Sequence, residues 1–148
     1  MVDYVDAFRK GLEAAEAADR ARKEIDAVFD ELNVQIYKGT DGKIRIERKE
    51  LGVIRQVWES LLTAKPRETY WAIVAFNPSL EKSPVRELSR WSQARGGYPC
   101  NMVWGNKDQS CFDRESLENL LSELLRDPLV GEHLQALMQM KSISEEKG

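Results

Sequence analysis

The chain has 148 residues, of which 42% are hydrophobic and 32% are charged, and its formal net charge is −3. This length favours one domain, and the near balance of charges argues against a nucleic-acid binder, which usually carries a basic surface. Two cysteines suit a reducing compartment, and no apolar run is long enough for a membrane span or a signal segment, so we expect a cytoplasmic protein without membrane contact.

The first predicted element is a long helix over residues 3–33, with Asp3 as its N-cap. Its apolar side chains recur every three or four residues and predict one stripe along the helix. They are Phe8, Leu12, Ala15, Ala18, Ile25, Val28 and Leu32. Charged pairs four residues apart support the opposite face; they are Asp6–Lys10, Glu16–Arg20 and Asp19–Lys23. Such a helix measures roughly 43 Å, more than the ~34 Å expected for the rest of the domain, so it should overhang its own body.

The residues that follow the helix predict a hairpin. Val34 and Ile36 alternate with polar residues, and a three-residue loop at 40–42 would place Ile36 opposite Ile46. This register puts the isoleucines on one face of the hairpin, and it requires Gly42 to adopt a left-handed conformation.

Two helices are predicted on either side of a central strand. The first is the stretch ELGVIRQVWESLLTA, residues 50–64, which ends before Pro66, because its apolar residues recur at helical spacing. Residues 70–76 are apolar on both faces, which is typical of a strand covered on both sides. The second helix starts with Ser83 as its N-cap and ends at the glycines 96–97.

Residues 98–111 contain both cysteines and predict a second hairpin with a turn at Gly105-Asn106. This register pairs Cys100 with Cys111, at a position whose wide spacing disfavours a disulfide, so two buried free thiols are expected. A loop of three or four residues would instead leave the cysteines unpaired. Two cysteines and one distant histidine cannot supply four zinc ligands. A cysteine nucleophile would need His133, which we expect to face solvent.

Two C-terminal helices complete the chain, capped by Asp113 and Asp127, and residues 141–148 form a polar tail. The sequence therefore predicts an α+β fold with a long N-terminal helix and two C-terminal helices. Its five-stranded sheet, antiparallel or mixed, is built from two hairpins and a central strand, with helices packed on it. We expect a single domain over residues 1–140, in which the helix over 3–33 joins an α+β body over 34–140.

The opening stretch, YVDAFRKGLEAAEAADRARKEIDAVFDELN, resembles small uncharacterised proteins found in bacterial prophages. The resemblance is confined to this helical stretch. It implies an accessory or partner-binding role and assigns no residue a function.

The leading functional hypothesis is a non-enzymatic protein that associates with itself or with another protein through the N-terminal helix. A homodimer is the default, because two-fold pairs are the commonest oligomers. No cofactor or metal is expected. The candidate contact residues lie on the long helix and on the predicted helix that ends at 95: Tyr4, Phe8, Leu12, Ala15, Ala18, Arg86, Arg90 and Arg95.

Two alternatives remain open. One is an enzyme with a carboxylate-based site near the hairpin over 98–111, in a pocket lined by Trp91 or Trp104. The other is a weak nucleic-acid binder that uses the predicted helix from Arg86 to Arg95 and would show salt-sensitive binding. The net negative charge makes nucleic acid the less favoured partner.

Overall fold

A computed structural model describes residues 1–52 and 68–141, and within them the chain forms three helices and five strands. The elements are α1 (Tyr4–Gly39), β1 (Arg45–Gly52), β2 (Thr69–Phe76), β3 (Arg86–Ala94), β4 (Gly97–Trp104), β5 (Lys107–Cys111), α2 (Arg114–Arg126) and α3 (Pro128–Gln139). The strands form one antiparallel sheet in the order β1-β2-β3-β4-β5. The predicted α+β fold, with its long N-terminal helix, five-stranded sheet and two C-terminal helices, is confirmed.

The main hydrophobic core joins the sheet to the three helices. Each helix contributes the apolar side chains that its 3.6-residue period places on one side. The large, fully buried members of this core include Ile25, Ile46, Ile73, Met102, Leu117, Leu124 and Leu137. Each such side chain contributes about 1.5–3 kcal/mol when it is fully buried. This packing fixes the path of α1 across the sheet.

The hairpin predicted over residues 34–46 is wrong, because α1 continues through Gly39. Ile36 follows Leu32 by four residues, and both side chains pack against the core from the helix. Two apolar residues that are two positions apart fit a strand or a helix, and here the helical period continues. Gly42 does adopt the predicted left-handed conformation, with a φ of 75°, in the turn between α1 and β1.

Asn33 joins α1 to the edge strand β1. Its Nδ2 donates a hydrogen bond to the carbonyl oxygen of Ile46 at 2.8 Å, and its Oδ1 accepts one from the Ile46 amide at 2.9 Å. Because buried backbone groups need partners, the Asn33 side chain takes the place of a neighbouring strand at this point of the edge.

The helix predicted from Ser83 to the glycines 96–97 is wrong, because residues 86–94 form β3. Leu88 and Trp91 have helical spacing and are both buried, although residues three apart on a regular strand face opposite sides. The pairing of β2 with β3 shifts after Ile73, which pairs with Ser89, and this shift skips Leu88. A bulge of this kind re-aims side chains, so Leu88 and Trp91 can reach the same core.

Two further predictions fall partly outside the described residues. The helix predicted over 50–64 begins with residues 50–52, which belong to β1, and the rest of it from residue 53 lies outside. Residues 142–148 of the predicted tail also lie outside. The three predicted aspartate caps are confirmed, since Asp3, Asp113 and Asp127 each accept hydrogen bonds from backbone amides of the following turn. The predicted cap Ser83 begins no helix, because a strand follows it.

The hairpin predicted over 98–111 is confirmed together with its register. Cys100 pairs with Cys111 and Trp104 pairs with Lys107. Gly105 has a φ of 55°, which agrees with a two-residue turn that begins with a left-handed residue. Both cysteines are buried free thiols.

Tyr98 links this hairpin to α1, since its hydroxyl donates a hydrogen bond to Glu24 at 2.8 Å. Burial, then the hydrogen bond to Glu24 and its charge, raise the pKa of Tyr98 above its ordinary value of 10.0. The folded protein therefore favours the neutral phenol, and its stabilisation is lost as the pH rises above the unfolded pKa.

We expect Tyr98→Phe to lower the free energy of unfolding by about 1–2 kcal/mol near neutral pH. Urea titrations at about pH 8 and about pH 10.5 should show a smaller alkaline loss in the variant than in the wild type. Equal losses in the two proteins would contradict this assignment.

Candidate interaction surface

The first half of α1 extends away from the rest of the fold. Residues 4–20, which we call the projecting segment, are exposed except for the half-buried Ala18. Three large side chains on it have exposed fractions of 79% (Tyr4), 68% (Phe8) and 51% (Leu12). At 1.5 Å per residue, the segment is about 25 Å long within a helix of about 54 Å. The predicted overhang is therefore present in the structure.

The apolar side chains of α1 form two stripes, where the sequence predicted one. Ile25, Val28 and Phe29 face the sheet and are buried. At 3.6 residues per turn, Phe8 lies about 100° around the helix axis from Ile25. The projecting segment thus presents its large apolar residues on a side that α1 does not use against its own sheet.

The exposed stripe follows the spacing of a coiled-coil seam. Val5, Phe8, Leu12 and Ala15 are separated by steps of three, four and three residues, as at alternating a and d positions. We call these four residues the seam. Of the predicted contact residues on α1, Phe8, Leu12 and Ala15 belong to the seam, whereas Tyr4 and Ala18 lie along its edge.

A groove with a volume of about 700 Å³ runs beside the second half of α1, between the helix and the strands β1, β2 and β3. Its lining combines aromatic rings with arginine side chains. The aromatic and arginine residues that line it include Arg22, Phe29, Arg48, Trp71, Trp91 and Arg95. Trp71 is 50% exposed, so part of the aromatic lining is in contact with solvent.

Arg48 anchors the floor of the groove. Its guanidinium lies 4.4 Å from the ring centre of Phe29 and 6.0 Å from that of Trp91. It also forms an ion pair with Asp26 at 2.7 Å and donates a hydrogen bond to Gln93 at 3.2 Å. Arg48 is therefore held by contacts within the protein.

Arg22 and Arg95 lie at the end of the groove nearest the projecting segment, which we call the groove mouth. These two arginines are held differently from Arg48. Arg22 donates a hydrogen bond to the backbone carbonyl of Arg95 at 2.6 Å, which brings the two residues together. Within residues 1–52 and 68–141, neither guanidinium forms an ion pair with a carboxylate. The mouth of the groove therefore carries two positive charges that are available to an acidic partner.

The seam leads along the helix to this groove. Tyr4 and Arg22 are separated by about five whole turns, as are Leu12 and Asp30, so the members of each pair lie on the same side of α1. Arg22 and Asp30 both line the groove. A chain that lies on the seam can therefore continue along α1 towards the groove mouth.

The three arginines predicted as contact residues do not form one surface. Arg86 and Arg90 lie on β3, and Arg90 stacks over the ring of Tyr70 at 4.6 Å. Arg95 lies beyond the end of β3, at the groove mouth. The helix that the nucleic-acid alternative required is therefore a strand, and only Arg95 lies near the projecting segment.

The features proposed for an enzyme lie in different places. The groove includes Trp91, as the enzyme alternative requires, whereas Trp104 is buried in the core. The hydrogen bond between the two thiols raises the pKa of Cys100 and lowers that of Cys111, and both cysteines are buried in the core and do not line the groove. His133 is half-buried on α3, although the sequence predicted an exposed position.

Most of the groove is not predicted from the sequence. Arg22 and Arg48 are not among the predicted contact residues, and Trp71 belongs to the strand predicted over residues 70–76. The spacing of Phe29 and Arg22 along α1 was available in the sequence, but their neighbours come from β1, β2 and β3.

Within the described ranges 1–52 and 68–141, no group of three or more His, Cys, Asp or Glu side chains is placed to hold a metal ion. In the same residues, no helix combines the length and the apolar character needed to cross a membrane. No family model, curated protein or solved structure matches this chain.

Proposed function

We propose that this protein is a non-enzymatic interaction protein that associates with a second copy of itself through the projecting segment of α1. The observation that carries the proposal is the exposed seam. Phe8 and Leu12 are more than half exposed on a helical segment that lies outside the core of its own chain. A partner that covers the seam would remove this apolar surface from water, at about 1.5–3 kcal/mol for each large side chain fully buried.

The length of the projecting segment supports the same conclusion. Isolated helices of this size are marginal in water, and most helical stability in proteins comes from packing of an apolar face. Asp3 at the N-cap and the ion pairs Asp6–Lys10 and Asp19–Lys23 stabilise the segment only modestly. The resemblance of the opening stretch to small prophage proteins favours an accessory role of this kind.

The test is the molar mass of the full chain by light scattering after size exclusion, over a range of concentrations. We expect the mass to rise with concentration towards twice the 17.0 kDa of one chain. A mass of 17.0 kDa at every concentration up to about 1 mM, where association is worth only about 4 kcal/mol, would overturn self-association as the function.

A further inference from the structure

We infer that the second copy binds antiparallel to the first, so that the acidic start of each α1 reaches Arg22 and Arg95 at the groove mouth of its partner. The inference rests on the proposed self-association and adds its orientation and its polar contacts. We take the partner to be a second copy of this chain, because the surface is complementary to itself. It carries the seam, the opposite charges of Arg9 and Glu16 beside it, and the groove mouth that would receive the acidic start of α1.

The charges beside the seam favour this orientation. In the heptad that places Val5 and Leu12 at position a, Arg9 and Glu16 both occupy position e. Two antiparallel helices bring their e positions together, and the register that sets residue 9 level with residue 16 places Arg9 of each copy beside Glu16 of the other. Two parallel helices would instead bring e beside g, where Tyr4 and Gly11 offer no charge.

The described residues leave these two charges without a partner in their own chain. Asp6–Lys10 and Asp19–Lys23 form ion pairs along the same helix. Arg9 and Glu16 form none within residues 1–52 and 68–141, and the predicted pair Glu16–Arg20 is not made there. An antiparallel pair satisfies both residues twice, once on each side of the two-fold axis.

The length of the projecting segment brings the acidic start of α1 in one copy to the groove mouth of the other. When residues 4–20 of the two copies overlap along their full length, residue 3 of one copy lies beside the turn that contains Arg22 of the other. Asp3 brings negative charge to this end, and Asp6, which is paired with Lys10, follows within the first turn. Arg22 and Arg95 present the opposite charge there, close together through the hydrogen bond from Arg22 to the Arg95 carbonyl.

Disulfide cross-linking tests the orientation in the full chain. We expect the double variant Val2→Cys/Arg95→Cys to form a covalent dimer with oxidised glutathione, because its new thiols meet between copies. Val2→Cys alone should stay a monomer on a non-reducing gel, since the two N-terminal ends lie far apart. The native Cys100 and Cys111 are buried, so the wild-type chain is the background control. A covalent dimer from Val2→Cys alone, or none from the double variant, would overturn the antiparallel arrangement.

A charge exchange tests the contacts themselves. We expect Arg9→Glu and Glu16→Arg each to raise the dissociation constant about 10-fold, because each creates two repulsive pairs in the dimer. The double exchange should return it to within about 3-fold of the wild type. Arg95→Glu should weaken the dimer about 3- to 10-fold. Asp3→Asn tests the same contact from the other side, because it removes the charge and keeps a residue that can cap the helix.

The outcomes separate this inference from the proposed function. If the wild type dimerises and the double exchange restores nothing, or if Arg95→Glu and Asp3→Asn leave the dissociation constant unchanged, the contacts proposed here are wrong and self-association stands. If the wild type is a monomer at every concentration, both are wrong.

Discussion

Replacing Gly97 with alanine is expected to lower the free energy of unfolding by about 2–5 kcal/mol. Gly97 has a φ of 98°, a conformation that L side chains rarely adopt. A Cβ at this position would lie 2.7 Å from the Cβ of Ala21 and 3.2 Å from its backbone carbonyl carbon. Backbone strain and steric overlap therefore both destabilise the variant. They act where α1 leaves the sheet and the projecting segment begins.

Two further variants make this prediction specific. Gly96→Ala is the matched control, because no atom beyond its two chain neighbours lies within 4 Å of the added Cβ, and it should change the stability by less than about 1 kcal/mol. Ala21→Gly in the Gly97→Ala background removes the closest contact and should recover part of the loss. Urea denaturation followed by tryptophan fluorescence measures all of these proteins. Equal stability of Gly97→Ala and Gly96→Ala would show that α1 does not approach the turn between β3 and β4 this closely.

Features that depend on neighbouring residues could be predicted from the sequence. The three aspartate caps and the hairpin over 98–111 follow from side chains that act within a few positions of themselves. Gly105 permits the tight turn, and the apolar alternation along β4 then sets the pairing of Cys100 with Cys111. The structure confirms each of these elements.

The elements that failed are decided by distant residues. Leu88 and Trp91 have the spacing of a helix, and the bulge opposite Ile73 that accommodates both depends on pairing with β2. Residues 34–39 alternate like a strand. In the structure the Asn33 side chain forms hydrogen bonds with the backbone of β1, and Ile36 packs against the core as part of a helix. Local spacing cannot distinguish these outcomes, because tertiary contacts override it.

The candidate surface was only partly predictable for the same reason. Tyr4, Phe8 and Leu12 could be proposed as contact residues, because the length of the helix alone implied an overhang. Helix geometry also places Phe8 about 100° around the axis from Ile25. This angle is not visible when the apolar residues are read only as successive steps of three and four. The groove depends on β1, β2 and β3 meeting α1, so the partnership of Arg22 with Arg95 required the fold.

The largest expected effect on association comes from Phe8→Glu. Phe8 is the largest side chain of the seam, and a two-fold pair contains it twice, so the substitution removes two buried rings and buries two carboxylates. Loss of about 1.5–3 kcal/mol for each ring predicts a dissociation constant raised by at least about 100-fold. The monomer should remain folded, because the side chain is 68% exposed there. Light scattering gives the mass and urea denaturation the stability.

Ala17→Glu is the matched control for this substitution. It adds the same charge to the same helical segment, and it lies about two and a half turns from Phe8, on the opposite side of α1. Ala17 is exposed, so the control should fold and should dimerise within about 3-fold of the wild type. If both variants weaken association equally, the effect follows the net charge or the helicity of the segment, and the seam is not the interface. If only Phe8→Glu does so, the contact lies on the side of the helix that leads to the groove.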